Sequence, residues 1–180
     1  TLYLSDLRLS YTRLGDLEKP TDPGKARGWY EQGLAIAERL VALAPENTRY
    51  LNSLSLSYGR LGNLEERTDA GKARDWYRRR LAIAQRLAAI EPHNPEYARE
   101  LSVSYSQLGY LLREHPQGRV WCEKALVIEK WLAWTEPDNT QYLHDLSITY
   151  EQLGDLDRRT DAGKAWVWYD KALAILKRLT

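Results

Sequence analysis

The sequence predicts an all-α fold made of repeated pairs of helices. Each copy of the repeat contains a Leu-Gly pair, and the intervals between successive glycines are 47, 47 and 45 residues. A fixed interval of this length is typical of repeat architectures. These glycines are Gly15, Gly62, Gly109 and Gly154. Apolar residues also recur at every third or fourth position in both halves of each copy, and no segment alternates in the manner of a β-strand.

Four copies fill the chain, and each copy is predicted to hold two helices. The copies span approximately 1–47, 48–94, 95–139 and 140–180. The first helices are predicted near 2–17, 48–64, 95–112 and 140–156. The second helices are predicted near 23–43, 70–90, 117–135 and 162–179.

Residues that stop and start helices stand at these boundaries. A proline follows the second helix of the first three copies, and proline cannot continue a helix. These residues are Pro45, Pro92 and Pro137. Two positions later each copy has an asparagine that is suited to cap the next helix, namely Asn47, Asn94 and Asn139. Between the two helices of the second copy, Thr68 or Asp69 can accept a hydrogen bond from the free amides that open the second helix.

Composition excludes several classes of protein. With 26 basic and 25 acidic residues, the net charge of +1 offers no overall field that would attract nucleic acid or an anionic membrane. The single cysteine, Cys122, cannot form an internal disulfide, and no apolar run approaches the roughly 18 residues of a membrane-spanning helix. No secretory signal is visible. The expected location is therefore the cytoplasm, with no membrane contact.

The second copy carries, in order, apolar residues, a small residue, an aromatic residue and a later alanine, aromatic residue and proline. These residues are Leu51, Leu54, Ser55, Tyr58, Ala73, Tyr77 and Pro92. Their order resembles the signature of the tetratricopeptide repeat. The first and fourth copies follow the same order, with Arg8 at the small-residue place of the first. In the third copy Gly118 and Cys122 replace the alanine and the aromatic residue.

The resemblance implies a right-handed α-α superhelical solenoid of four helix-turn-helix repeats, forming a single domain over 1–180. The family repeat has about 34 residues, so these 45–47-residue repeats are long variants. In the second copy the excess divides between the inter-helix loop and the end of the second helix. Because the chain begins at Thr1 rather than at a methionine, we expect it to be a fragment or a processed product. Its last helix favours a fragment of a longer array.

Apolar residues in register along the second helices are expected to form the seams between copies. They are Leu34, Leu81, Leu126 and Leu173, together with Ile36, Ile83, Ile128 and Ile175. One tryptophan per copy is interpreted as packing, namely Trp29, Trp76, Trp121 and Trp168. The last helix carries an apolar flank that would normally await another repeat, which favours a longer array or end-to-end association. This flank contains Ala172, Leu173, Leu176 and Leu179.

In solenoids of this family the first helices line the concave face, and the resemblance implies that their inward residues meet a ligand. The aliphatic members of this set are Leu9, Leu56, Val103 and Ile148. The polar members are Ser5, Asn52, Arg99 and His144 on one side and Arg13, Arg60, Gln107 and Gln152 on the other. Such a strip suits an extended or helical peptide with acidic character. Packing of the aliphatic residues between neighbouring first helices is the open alternative.

Other residue patterns do not indicate a nucleotide-binding, metal-binding or catalytic site. The recurring Thr-Asp-x-Gly-Lys-Ala motif lacks the first glycine and the final hydroxyl residue of a phosphate-binding loop, and is interpreted as a helix start. His115 and Cys122 alone do not make a zinc site, which needs four ligands at tighter spacing. No arrangement of serine, histidine and aspartate indicates catalysis. Trp131 and Trp134 occur only in the third copy and are expected to pack around its shortened loop, with a binding hot spot as the open alternative.

The sequence therefore predicts a non-enzymatic scaffold, without cofactor or metal, that binds a peptide or protein partner along the concave face. The alternative is a structural array in which copies stack end to end. Recognition of RNA is a third hypothesis, which only Arg13, Arg60 and Arg99 favour. Glu96 and Glu151, which also lie on first helices, oppose it, so no nucleic-acid partner is expected.

Overall fold

The computed structural model describes residues 2–180, which form eight α-helices and no strand. The first helices of the four copies are α1 (Leu2–Glu18), α3 (Thr48–Glu65), α5 (Pro95–Leu111) and α7 (Thr140–Asp157). The second helices are α2 (Pro23–Leu43), α4 (Ala70–Ile90), α6 (Pro116–Thr135) and α8 (Ala162–Leu179). The all-α prediction is confirmed, and each helix end lies within one residue of its predicted position.

Aspartate caps begin three of the second helices. Each carboxylate accepts a hydrogen bond of 3.0 Å from the backbone amide of the lysine three residues later. The caps are Asp22, Asp69 and Asp161. In the second copy the cap is therefore Asp69, whereas the Thr68 hydroxyl donates to the carbonyl of Glu65. The Gly-Lys pair thus belongs to a capped helix start, as predicted, and these capping hydrogen bonds lower the pKa of each aspartate.

The predicted asparagine caps of the later first helices are also confirmed. The side-chain oxygen of each accepts hydrogen bonds of 3.0 to 3.2 Å from amides in the first turn. These caps are Asn47, Asn94 and Asn139. Each cap satisfies amides that would otherwise have no partner within the helix.

Replacing Asn139 by alanine is expected to lower the free energy of unfolding by about 1 kcal/mol, because the amides of Gln141 and Tyr142 lose their acceptor. Urea denaturation followed by circular dichroism measures this loss. Asn139→Ser keeps an acceptor at the same place and should recover most of the stability. Equal losses for the alanine and serine variants would contradict a capping role.

The chain divides into two compact units, the first ending at Glu91 and the second beginning at Pro92. The first unit contains the helix pairs α1–α2 and α3–α4, and α2 also packs against α3. The second unit contains α5–α6 and α7–α8, and α6 also packs against α7. Each unit is therefore two successive repeats joined by one seam. A single solenoid through all four repeats stays a prediction.

Two of the four predicted leucines lie in the seams. In the first unit Leu34 lies in a buried cluster with Leu54, Tyr58 and Leu61 of α3. In the second unit the equivalent cluster joins Leu126 of α6 to the corresponding residues of α7, namely Leu146, Tyr150 and Leu153. Leu34 and Leu126 are 7% and 8% exposed. Burial of this kind stabilises neighbouring repeats against each other.

The predicted outer flank of α8 needs one correction. Ala172 does not lie on that flank, because it is buried in the core cluster of its own unit beside Leu126 and Leu153. Leu173, by contrast, is 49% exposed. Successive residues of a helix point in directions about 100° apart, so one turns into the helix pair when the next turns away from it.

Each of the four tryptophans stacks on a tyrosine of the first helix of its own copy, which confirms the packing interpretation. The ring centroids are 5.5 to 6.0 Å apart and the ring planes are inclined by 21 to 24°. The pairs are Tyr11–Trp29, Tyr58–Trp76, Tyr105–Trp121 and Tyr150–Trp168. A basic side chain three residues after the tryptophan covers the indole in the later copies, as Lys124 does over Trp121 at 4.6 Å.

The glycine of the Leu-Gly pair allows the two helices of a copy to approach closely. A Cβ atom added to Gly62 would lie 2.4 Å from Cε1 of Tyr77, which is fully buried. In the third copy Cys122 takes the place of that tyrosine, and an added Cβ on Gly109 would lie 2.4 Å from its Sγ. The departures at Gly118 and Cys122 thus belong to a tightly packed helix pair.

Candidate functional site

The predicted ligand-binding residues form one stripe on each first helix. Residues four apart lie on the same helix face. The stripes consist of Ser5, Leu9 and Arg13 on α1, Asn52, Leu56 and Arg60 on α3, Arg99, Val103 and Gln107 on α5, and His144, Ile148 and Gln152 on α7. Each unit therefore has two such stripes, at the same register of its two first helices.

The aliphatic residues of these stripes stay accessible in three copies. Leu9, Leu56 and Ile148 are 36 to 40% exposed. Val103 is half-buried. The neighbouring leucines of the same helices, such as Leu54 and Leu146, are buried against second helices. The exposed aliphatic residues therefore lie on faces that the packing of the helix pairs leaves accessible.

In the first unit the polar residues beside the aliphatic residues differ in exposure and in ion pairing. Arg60 Nε lies 3.3 Å from Asp16 Oδ1, so this ion pair joins α3 to α1. Arg13 is exposed and Asn52 is half-buried. Burial lowers the pKa of the half-buried Arg8, and the nearby charge of Arg60 acts in the same direction. Several cations thus lie near Leu9 and Leu56.

In the second unit Arg99 is bound within the fold. Its Nε lies 2.6 Å from Asp145 Oδ2, and its Nη2 lies 3.4 Å from Oδ1. Gln141 Nε2 donates a further hydrogen bond of 3.0 Å to Asp145, which is nearly buried. The guanidinium therefore joins α5 to α7, and its charge is neutralised inside the unit.

Gln152 also makes contacts between helices of the second unit. Its Oε1 accepts hydrogen bonds from Ser106 Oγ at 3.0 Å and from Cys122 Sγ at 3.5 Å. Gln107 is half-buried, whereas His144 is exposed. The predicted polar residues thus fall into two groups, one at the surface and one in contact with neighbouring helices. Arg13 and His144 lie at the surface, and Arg60, Arg99 and Gln152 contact neighbouring helices.

A buried carboxyl group lies in the second unit, and the sequence interpretation did not identify it. Glu129 of α6 is 2% exposed, and its Oε2 has no hydrogen-bond partner. Burial raises its pKa to about 8, although hydrogen bonds with Thr149 and Ser102 lower it. The equivalent positions in the first two copies hold Ala37 and Ala84. The fourth copy holds Leu176 there, so an acid in a register otherwise filled by apolar residues was the available signal.

The Cys122 thiol and the possible metal ligands do not form a reactive or metal-binding site among the described residues. Burial raises the pKa of the Cys122 thiol to about 12, so it is protonated near neutral pH. Within residues 2–180, no three side chains of histidine, cysteine, aspartate or glutamate are grouped to hold a metal ion. Over the same residues, none of the helices has the length and apolar character needed to cross a bilayer.

The packing prediction for the two tryptophans of the third copy is wrong for Trp134, which is 79% exposed. Trp131 is also exposed, and Val127 lies one turn before it on α6. An indole with this exposure is not buried against the preceding loop. The equivalent positions of α4 hold Arg86 and Ala89, so this apolar surface belongs to the third copy alone.

Comparison with known proteins supports the fold. No model of a protein family matches the chain, and no curated protein matches it. The chain is similar to TTC0263, a thermophilic TPR protein of Thermus thermophilus, with a TM-score of 0.52 and 19% identity, over 93% of this chain and 90% of that one. It is also similar to MamA MSR-1 C2, with a TM-score of 0.54 and 19% identity, over 94% of this chain and 77% of that one. These similarities show that the chain has the helical-repeat fold of tetratricopeptide-repeat proteins.

Proposed function

We propose that this chain is a non-enzymatic interaction module that binds a peptide or protein segment on the exposed face of its first helices. The observation that carries the proposal is the exposure of Leu9, Leu56 and Ile148 at one register of the repeat. Large aliphatic side chains on the surface of a rigid scaffold are suited to anchor an apolar partner. The partner is a segment that presents aliphatic side chains to these residues.

The charges around the aliphatic residues favour a partner with acidic character. Arg13 is exposed near Leu9, and Arg60 lies near Leu56 with only a half-exposed aspartate as its counter-ion. In the second unit Asp145 neutralises Arg99, so fewer cations face a ligand there. Acidic residues of the partner are therefore expected to bind mainly to the first unit.

Substitution of the exposed aliphatic residues should weaken peptide binding. A library of random peptides displayed on phage is selected on the chain, and the dissociation constants of the selected peptides are then measured for variants. Leu56→Glu or Ile148→Glu should raise the dissociation constant at least about tenfold, because a charge replaces an apolar anchor. Val127→Glu, on α6, changes an exposed aliphatic residue in the same way and should leave binding unchanged.

Circular dichroism shows whether each variant remains helical. Peptides that bind the two stripe variants as tightly as the original chain would contradict the proposal. So would the absence of any selected peptide, or a loss of binding in Val127→Glu alone.

The alternative function is a structural array formed by copies that associate end to end. The specific observation that favours it is Leu173, which is exposed although Leu34 and Leu126 at the same register are buried in seams. In both seams this register packs against a following first helix, and the first helix of another copy would cover Leu173 in the same way. Molecular mass measured against concentration distinguishes this function from peptide binding by a monomer.

A further inference from the structure

We propose that the seam between α6 and α7 is a proton-controlled switch, in which protonated Glu129 keeps α7 packed on α6 and loss of that proton releases α7. The switch would regulate ligand binding in the second unit, and this part of the inference rests on the proposed function. The residue that links the two is Ile148, which lies on α7 and is proposed to contact ligands. Ligands at Ile148 are then held only while the seam is closed.

Glu129 lies between two helices of its own unit. Its side chain is 2% exposed, and its Oε2 has no hydrogen-bond partner. Ser102 of α5 and Thr149 of α7 lie beside the carboxyl. Because α5 and α7 both belong to the second unit, this burial does not depend on any repeat outside the chain. A carboxyl in such a place is neutral while the helices are packed, since an unpaired buried charge is costly.

The charged and titratable groups around Glu129 leave no cation to neutralise it. Arg99 of α5 acts on Glu129, but its guanidinium is bound to Asp145 of α7 at 2.6 Å. Asp145 is itself a negative charge near Glu129. The other titratable neighbours are Tyr150 of α7 and Cys122 of α6, and burial raises the pKa of both. The cluster is therefore neutral when Glu129 is protonated and has one excess negative charge when it is ionised.

This excess charge acts mainly on the contact between the third and fourth copies. Helix α6 packs more extensively on α5, its partner in the helix pair, than on α7. Asp145 and Tyr150, which face Glu129, both lie on α7. Ionised Glu129 therefore repels Asp145 across the seam, and departure of α7 removes the repulsion and admits water to the carboxylate. The α6–α7 seam is thus the contact that opens first.

The seam of the first unit has no such group. Ala37 stands at the register of Glu129, and Ser53 stands at the register of Asp145. The buried cluster of that seam consists of apolar and tyrosine side chains. Ligands that depend on Leu56, in the first unit, are therefore expected to be independent of the switch.

The direction of the pH response follows from the two states of the seam. Burial raises the pKa of Glu129 to about 8 in the closed seam, whereas water restores the ordinary value near 4.5 when α7 leaves. Between these values the closed seam binds a proton that the open seam releases. The equilibrium constant for opening therefore rises with pH, by up to about tenfold per pH unit, and becomes constant above the closed-state pKa.

Cys122 can report the opening, because it is the single cysteine of the chain and lies in the buried cluster of this seam. Its Sγ donates to Gln152 Oε1 of α7 at 3.5 Å. In the closed seam burial raises the pKa of the thiol to about 12, so it does not react as a thiolate near neutral pH. The rate of labelling by an aromatic disulfide reagent, divided by the rate in concentrated urea at the same pH, gives the equilibrium constant for opening.

Labelling is measured on the complete 180-residue chain at pH 5, 6, 7 and 8. The equilibrium constant for opening should rise by roughly fiftyfold between pH 5 and 7 and should exceed the constant for global unfolding. In Glu129→Gln it should not change with pH, because the amide has no proton to lose. Glu123→Gln, an exposed substitution on α6, should behave like the original chain. If Glu129→Gln does not fold, Glu129→Ala replaces it, since the first two copies hold alanine there.

Three results of this labelling would overturn the inference. The first is an opening constant that does not change with pH in the original chain. The second is an equal rise in Glu129→Gln. The third is an opening constant equal to that for global unfolding, measured by urea denaturation at each pH, because the whole unit would then unfold without a separate release of α7.

Peptides selected on the chain test the regulatory part. A peptide that loses affinity for Ile148→Glu, present at about 100 times its dissociation constant, should slow labelling of Cys122 about a hundredfold at pH 8, because it binds only the closed seam. A peptide that depends on Leu56 should leave labelling unchanged. Unchanged labelling with the first peptide overturns the regulatory part alone. Absence of any such peptide contradicts the proposed function, and the pH dependence of labelling still tests the switch.

Discussion

Replacing Gly62 by alanine is expected to lower the free energy of unfolding by about 3 kcal/mol, the upper part of the range for overpacking a core. The added Cβ would lie 2.4 Å from Cε1 and 2.6 Å from Cδ1 of Tyr77. This ring is fully buried, and its hydroxyl donates to Asn63 Oδ1 at 2.8 Å or to Glu66 Oε2 at 2.7 Å. The ring cannot withdraw without breaking these contacts.

Gly28 provides the matched control because it lies in α2 and has no atom within 4 Å of an added Cβ. Gly28→Ala should raise the free energy of unfolding by about 0.5 to 1 kcal/mol, since alanine favours the helix more than glycine does. Urea denaturation followed by circular dichroism measures both changes. If Gly62→Ala and Gly28→Ala unfold at the same urea concentration, the close approach of Gly62 to Tyr77 does not limit packing.

The second large effect expected is a fall in stability of the second unit as pH rises from 4.5 towards about 8, caused by Glu129. Burial raises the pKa of this carboxyl in the folded state, so the folded protein keeps a proton that the unfolded chain releases near pH 4.5. Between these values the folded state binds more protons. The free energy of unfolding therefore falls by up to about 1.4 kcal/mol per pH unit, and the slope disappears above the folded-state pKa.

Glu129→Gln should remove most of this pH dependence. The amide keeps the shape of the side chain and its capacity to bond with Ser102 and Thr149, but it has no charge to desolvate. Above pH 8 the variant is expected to be more stable than the original chain by up to about 5 kcal/mol, because the slope of about 1.4 kcal/mol per pH unit acts from pH 4.5 to about 8. Urea denaturation at pH 5, 6, 7 and 8 measures the difference. Glu123→Gln, an exposed substitution on the same helix, is the control.

Equal pH slopes for the original chain and Glu129→Gln would show that the carboxyl is not the cause. A slope that disappears in Glu123→Gln as well would assign the effect to the general charge of α6. Only a change confined to Glu129→Gln supports a buried, protonated acid in the folded state.

The sequence alone determined which segments are helices and where they end. Helical spacing, the Asn47 and Asp69 caps and the prolines act within a few residues of the chain, so no knowledge of the tertiary contacts is needed to interpret them. Leu34 and Leu126 occupy equivalent positions in their copies. The repeat therefore predicted that both pack between neighbouring copies. The exposed stripe at Leu9, Leu56 and Ile148 followed from the family resemblance.

Only the tertiary structure decided which side chains within a register are accessible. Asp145 of α7 neutralises the charge of Arg99. The spacing of residues along α5 does not predict this ion pair, because its partner lies on another helix. Glu129 is buried because α5 and α7 surround α6, whereas Trp134 on the same helix is exposed. Burial and ion pairing depend on distances between segments far apart in the sequence, while helix formation depends on neighbours a few residues away.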